Sequence, residues 1–186
     1  MNRPSPSLLT ALLLVLLHAP AGAQAPTSEA GTPAHPESVA LAQLHQAARA
    51  GNRLAQYRYA RALLDGRVRL PPASHPLSPA AQNEQTTLAA WRWMRRAATA
   101  GLPQAQYALA SWYQRGEGVR MHLGTARAWY ERAAWQGHAD AQYALGRLLL
   151  CEARDADTLA RARRWLELAA SAGHAPAQQA LLQDTR

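Results

Sequence analysis

The sequence predicts an all-α solenoid of about four helix-turn-helix repeats, on three observations. An A-A-x-x-G cadence occurs at Ala97, Ala98 and Gly101 and again at Ala133, Ala134 and Gly137, with further copies at Ala47, Ala48 and Gly51 and at Ala169, Ala170 and Gly173. In chain order the first three copies are each followed by an A-Q-Y triplet (Ala55-Gln56-Tyr57, Ala105-Gln106-Tyr107, Ala141-Gln142-Tyr143); the fourth has Ala177-Gln178, with Gln179 replacing the tyrosine. Trp93, Trp129 and Trp165 recur every 36 residues, eight positions before the terminal glycine of each unit. A fixed period of roughly 20 to 50 residues marks stacked supersecondary units, and such solenoids mostly bind other macromolecules. The pattern supports a class of function and names no partner.

The ends bound the folded part. Arg3, an apolar run from Leu8 to Leu17, and Ala21-Gly22-Ala23 have the order of a secretory signal, with cleavage expected after Ala23. The run is ten residues long, and a membrane-spanning helix takes about 20. An uncleaved anchor is the competing reading. Residues 24–37 are rich in Pro, Ala and small polar residues and are expected to be a disordered leader. Residues 38–184 then hold the repeats, interrupted by a proline-rich insertion at 67–85. A mature chain of 163 residues (186 minus 23) suits one domain, with no transmembrane segment expected in it. Its single cysteine, Cys151, cannot close an internal disulfide and is expected to be a small core residue at the end of Leu148-Leu149-Leu150.

Every basic residue is arginine, 20 against 12 acidic residues. In a cytoplasmic protein this balance would suggest nucleic acid. The export signal points instead to the periplasm or beyond, where anionic envelope polymers, acidic protein faces and plain solubility compete to explain the charge.

Each helix can be argued in turn. Ser38 is a candidate N-cap for a helix carrying Val39, Leu41 and Leu44 that ends at Gly51, and the next runs from about Leu54 to Asp65. The step from Gly51 to Gly101 is 50 residues rather than 36, so about 14 are inserted, and Pro71, Pro72, Pro76 and Pro79 forbid one continuous helix there. Thr86 or Thr87 is expected to cap the helix of Trp91, Trp93 and Met94. Helices follow at about 104–114, from Thr125, at 140–150, at 158–172 and at 176–182. Paired alanines let helices approach closely, while Trp93, Trp129 and Trp165, with Tyr107 and Tyr143, fill the volume between pairs. Gly101, Gly137 and Gly173 are the terminal glycines of their units. Truncating a buried tryptophan of this row would cost about 3 to 5 kcal/mol.

At Gly116-Glu117-Gly118-Val119, followed by Ala126-x-x-Trp129-Tyr130-x-x-Ala133-Ala134-x-x-Gly137-x-x-x-Ala141-Gln142-Tyr143-x-Leu145-Gly146, the chain resembles a Sel1-like repeat. The resemblance spans about 38–182. It implies a relative of the tetratricopeptide repeats, wound as a right-handed superhelix, and an exported adaptor that binds enzymes, sensor domains or envelope components. Departures are the Glu152 and Arg154 that replace loop glycines, and His122 and Thr158 where the family has a capping aspartate. Some family members carry cysteine pairs in every repeat and are linked to β-lactam binding or hydrolysis. This chain lacks that cysteine ladder, so a β-lactamase-like envelope hydrolase is the weakest of its readings.

No catalytic constellation stands out. His45, His75, His122, His138 and His174 show no short metal-ligand spacing, and there is no G-x-S-x-G, phosphate loop or paired carboxylate. No enzyme activity, cofactor or metal is expected. Binding is expected on the concave side, where aligned units place Arg61, Ser111 and Arg147 in one row, with Arg58 on the same face as Arg61. Guanidinium forks suit carboxylates, so an acidic protein partner in the cell envelope is the first hypothesis. Binding of a cell-wall glycan or anionic polymer is the alternative, which would need Trp91, Trp112 and Trp135 exposed together.

Overall fold

Small side chains set how the helices meet in the computed structural model, which describes residues 36–70 and 77–184. The expected signal, the leader through residue 35 and the prolines Pro71, Pro72 and Pro76 lie outside the described residues. The helices are α1 (Pro36–Arg49), α2 (Arg53–Leu64), α3 (Pro79–Thr99), α4 (Pro103–Arg115), α5 (Leu123–Trp135), α6 (Ala139–Glu152), α7 (Ala156–Ser171) and α8 (Ala175–Asp184), with no strand among the described residues. Each packs on the helix before it and the helix after it. The fold is an all-α, right-handed solenoid of helix pairs.

The A-A-x-x-G signature is a helix terminator in which both alanine carbonyls accept hydrogen bonds. Gly101 and Gly137 take the left-handed conformation, with φ of 85° and 81°. This lets the following N–H reach back to the first alanine: Leu102 to Ala97 O at 3.1 Å and His138 to Ala133 O at 3.2 Å. The second alanine's carbonyl accepts the side chain of the A-Q-Y glutamine. Gln56, Gln106, Gln142 and Gln178 Nε2 reach Ala48, Ala98, Ala134 and Ala170 O at 3.2, 3.1, 3.1 and 3.1 Å. One side chain thus pins the start of each second helix to the end of the helix before it, four times over.

The inward stripe of α3, α5 and α7 differs from the expected one. Ala90, Met94 and Ala97, then Ala126, Tyr130 and Ala133, then Ala162, Leu166 and Ala169 are all buried to 3% exposure or less. This i, i+4, i+7 spacing is one helix face. Trp93, Trp129 and Trp165 stand one residue, or about 100°, away. They are half-buried and pack against the edge of the core rather than filling it. The constant ring seals the margin, and the variable residue beside it fills the centre.

Four local expectations are corrected. The helix α3 starts at Pro79, with Ser78 Oγ accepting from Ala81 N at 3.3 Å, because proline is well suited to a first helical turn. Residues 79–85 are therefore two extra turns of helix, and the Thr86 and Thr87 hydroxyls bond back to Gln82 O and Asn83 O at 2.9 Å instead of capping. Ser38 lies inside the first turn of α1 rather than at its cap. Asp155, not Thr158, caps α7 by accepting from Thr158 N at 2.7 Å, while His122 caps α5 through Nδ1. Cys151 is exposed and free, since Leu148 and Leu149 take the inward face of α6 and the cysteine falls outside it.

Candidate binding surface

The glutamine staple fixes the rotation of α2, α4 and α6, and so decides what their outer residues present. One residue after each glutamine comes the tyrosine, half-buried at Tyr57, Tyr107 and Tyr143. The next unit's capping histidine lies over it: His138 on Tyr107 with centroids 5.1 Å apart and His174 on Tyr143 at 4.6 Å. The same two imidazoles accept helix N–H groups through Nδ1, from Ala141 at 3.3 Å and Ala177 at 3.2 Å. His174 Nε2 then faces Asp140 Oδ1 at 3.3 Å. Burial pushes the His138 pKa below the ordinary imidazole value, against a smaller upward pull from Asp140, which keeps its Nδ1 free to accept. Both histidines are engaged in capping and stacking. Among the described residues no group of three or more His, Cys, Asp or Glu is placed to hold a metal.

One turn beyond the tyrosines comes the row expected to bind. Arg58 and Arg61 are exposed on α2, three residues apart, and neither has a carboxylate within ion-pair distance among the described residues. Arg147 is exposed on α6 and donates to Tyr143 Oη at 3.2 Å, with its guanidinium 6.0 Å from the ring centroid. Ser111 does not join them. It is 8% exposed and faces inward toward the Tyr130 phenol, whose pKa burial pushes up to about 12. The serine hydroxyl is small enough to turn under the helix pair where an arginine would not fit, so the row reads as two arginine sites separated by α4.

Of the three tryptophans outside the repeated row, Trp112 is buried, Trp91 is half-buried and Trp135 is 78% exposed. The cluster of open rings a glycan groove would use is reduced to one. Asp155, Asp157, Thr158, Arg161 and Arg164 line an open cleft of about 500 Å³ at the start of α7. Its Asp155 is committed to capping, and the bonds from Thr158 hold that carboxyl below its usual pKa. No nucleophile–base pair is formed there.

A stack of helix pairs locked end to end, with its exposed polar residues on the outer faces of successive helices, is a scaffold of the α-solenoid class. The Sel1 repeat family model matches residues 53–73, 83–102, 103–138 and 139–174, more than half of the chain, and the chain belongs to the Sel1 repeat family. A Sel1 repeat protein from Oxalobacter formigenes is 33% identical over 77% of this chain and 98% of its own, with a TM-score of 0.64. A protective antigen present in uropathogenic Escherichia coli strains, which displays the same repeat fold, is 31% identical over 77% of this chain and 29% of its own, with a TM-score of 0.61. No curated protein matches. Members of this family are generally non-catalytic scaffolds for protein interaction. No helix among the described residues is long and apolar enough to cross a membrane.

Proposed function

We propose that this chain is an exported, non-catalytic adaptor of the cell envelope that holds a protein partner on the concave side of the solenoid, along α2, α4 and α6. Arg58, Arg61 and Arg147 are the residues that meet the partner, and carboxylates are the groups they meet. The observation that carries the reading is the pair Arg58 and Arg61, exposed on one helix face with no counter-charge within ion-pair distance among the described residues. A guanidinium that no internal carboxylate satisfies keeps its full fork for an external one, and such charge-assisted bonds are about twice as strong as neutral ones. Export rests on the order of residues 1–23.

The experiment reverses the charge at Arg61 and Arg147 together and compares proteins recovered with the parent and the variant from an envelope fraction, by mass spectrometry. Both positions are exposed, so the far-ultraviolet circular dichroism of the variant should match the parent. Loss of a specific set of partners supports the proposal; undiminished recovery removes it.

A further inference from the structure

The repeat accounts for most residues of α3, α5 and α7, and two that it does not account for are exposed apolar side chains flanking one ring. Trp135 is 78% exposed and stands where the neighbouring copies have Thr99 and Ser171. Leu168 is 47% exposed and stands where they have Arg96 and Arg132. Trp135 meets Trp165 edge-on with centroids 4.9 Å apart, and Leu168 lies one helical turn past Trp165 on α7. Neither side chain is buried in the core. Each exposes apolar surface at a place where the other copies have something polar.

Arginines surround them. Arg132 is one turn before Trp135, Arg164 one turn before Leu168, and Arg96 holds the place of Arg132 in the adjacent unit. The guanidinium groups of Arg96 and Arg132 lie over Trp93 and Trp129 at 4.8 and 4.5 Å from the ring centroids. Stacking orders the fork and leaves its N–H edge open. Among the described residues none of these three arginines has a carboxylate within ion-pair distance; Glu131 is paired with Arg127 at 3.7 Å, and Glu167 is the opposing charge beside Leu168.

We propose that this face of α3, α5 and α7 is a peripheral docking surface for an anionic phospholipid membrane. Arg96, Arg132 and Arg164 take the headgroup phosphates, and Trp135 and Leu168 enter the interfacial layer. An indole belongs at headgroup depth because its body is apolar and its N–H is not, and arginine stems reach along apolar surface while the charged end stays in the polar layer. Several basic residues with a few apolar ones give reversible, salt-sensitive attachment rather than insertion. Trp135 protrudes instead of lining a recess, which suits a side chain that inserts more than one that forms a pocket wall. The surface is on different helices from the Arg58 and Arg61 site and stands independently of it.

The test is co-sedimentation of the full chain with vesicles of phosphatidylcholine alone or with about 30% phosphatidylglycerol, at roughly 0.1 M and 0.5 M salt. The phosphatidylcholine arm subtracts any retention owed to the apolar N-terminal run. At the lower salt, phosphatidylglycerol vesicles should retain at least about fivefold more protein, and the higher salt should abolish the difference. Arg96→Gln with Arg132→Gln should bring retention to the phosphatidylcholine level, and Trp135→Ser with Leu168→Gln should lower it severalfold. Arg58→Gln with Arg61→Gln should leave it unchanged. Equal retention on both vesicle types, unaltered binding by the α3, α5 and α7 variants, or loss of binding in the α2 variant would each overturn the proposal.

Discussion

Gln106 and Gln142 occupy the same place in successive units, yet their surroundings differ by one bond. Gln106 Oε1 accepts from Gln136 Nε2 at 2.7 Å, whereas Gln142 Oε1 is buried with no hydrogen-bond partner. Replacing Gln142 by methionine removes one bond of about 1 kcal/mol and also an unpaired buried oxygen, so the two effects largely cancel. Replacing Gln106 by methionine removes two bonds with no unpaired oxygen to offset them, while Gln136 Nε2 keeps only its 3.2 Å bond to Arg132 O. Urea unfolding should therefore show Gln106→Met to be the costlier change by about 1 kcal/mol, and equal costs would deny the Gln106–Gln136 bond its contribution. His138 gives a second prediction. Its folded pKa is lowered, so its contribution is fully present above the unfolded value near 6.5 and is lost as pH falls through the lower folded value. His138→Asn keeps an N-cap acceptor that does not titrate, and its stability should fall less than the parent's between about pH 7 and 5. The sequence showed these residues recurring but not their bonds, because a hydrogen bond eight residues back along the chain depends on how two helices cross.

Elements were legible where the period was strict and obscure where one residue decided a boundary. Four glycine-terminated helices followed from A-A-x-x-G, while Pro79, read as a barrier, proved to be a start signal because Ser78 precedes it. The tryptophans were conspicuous and were assigned to the volume between helix pairs; the centre belongs to Met94, Tyr130 and Leu166, which share a position but not a side-chain type. Half-buried, each tryptophan should cost less on truncation than the 3 to 5 kcal/mol (about) of a buried ring. Helices α6 and α7 approach closely at Gly146. A Cβ placed on Gly146 would lie 2.8 Å from Leu166 Cγ and 3.1 Å from Ala162 O, so the two helices could not keep their separation. Gly146→Ala should destabilise by about 1 to 3 kcal/mol, an overpacking cost. Because solenoid units couple to their neighbours, amide exchange should quicken in α6, α7 and α8 while α2 to α4 keep their protection. Uniform acceleration would show a single cooperative block instead.

For the whole molecule, the repeat was the readable part and the surface was not. Periodicity identifies side chains that face neighbouring units, and those are held by packing; the proposed contacts with a partner use positions the period leaves free. Arg58, Arg61 and Arg147 emerged from aligning the units, and so did Ser111, which the same alignment could not show to be turned inward. Trp135 was found only as a ring outside the pattern. On the proposed function, carboxylates of a protein partner cover Arg58 and Arg61 of α2 and Arg147 of α6. The direct measurement is dicarbonyl labelling of arginine side chains, read by mass spectrometry, on the protein alone and with the partner recovered from the envelope fraction. Protection of Arg58, Arg61 and Arg147, with Arg49 and Arg120 labelled equally in both samples, is the expected result. Unchanged labelling at those three positions in the complex would contradict it.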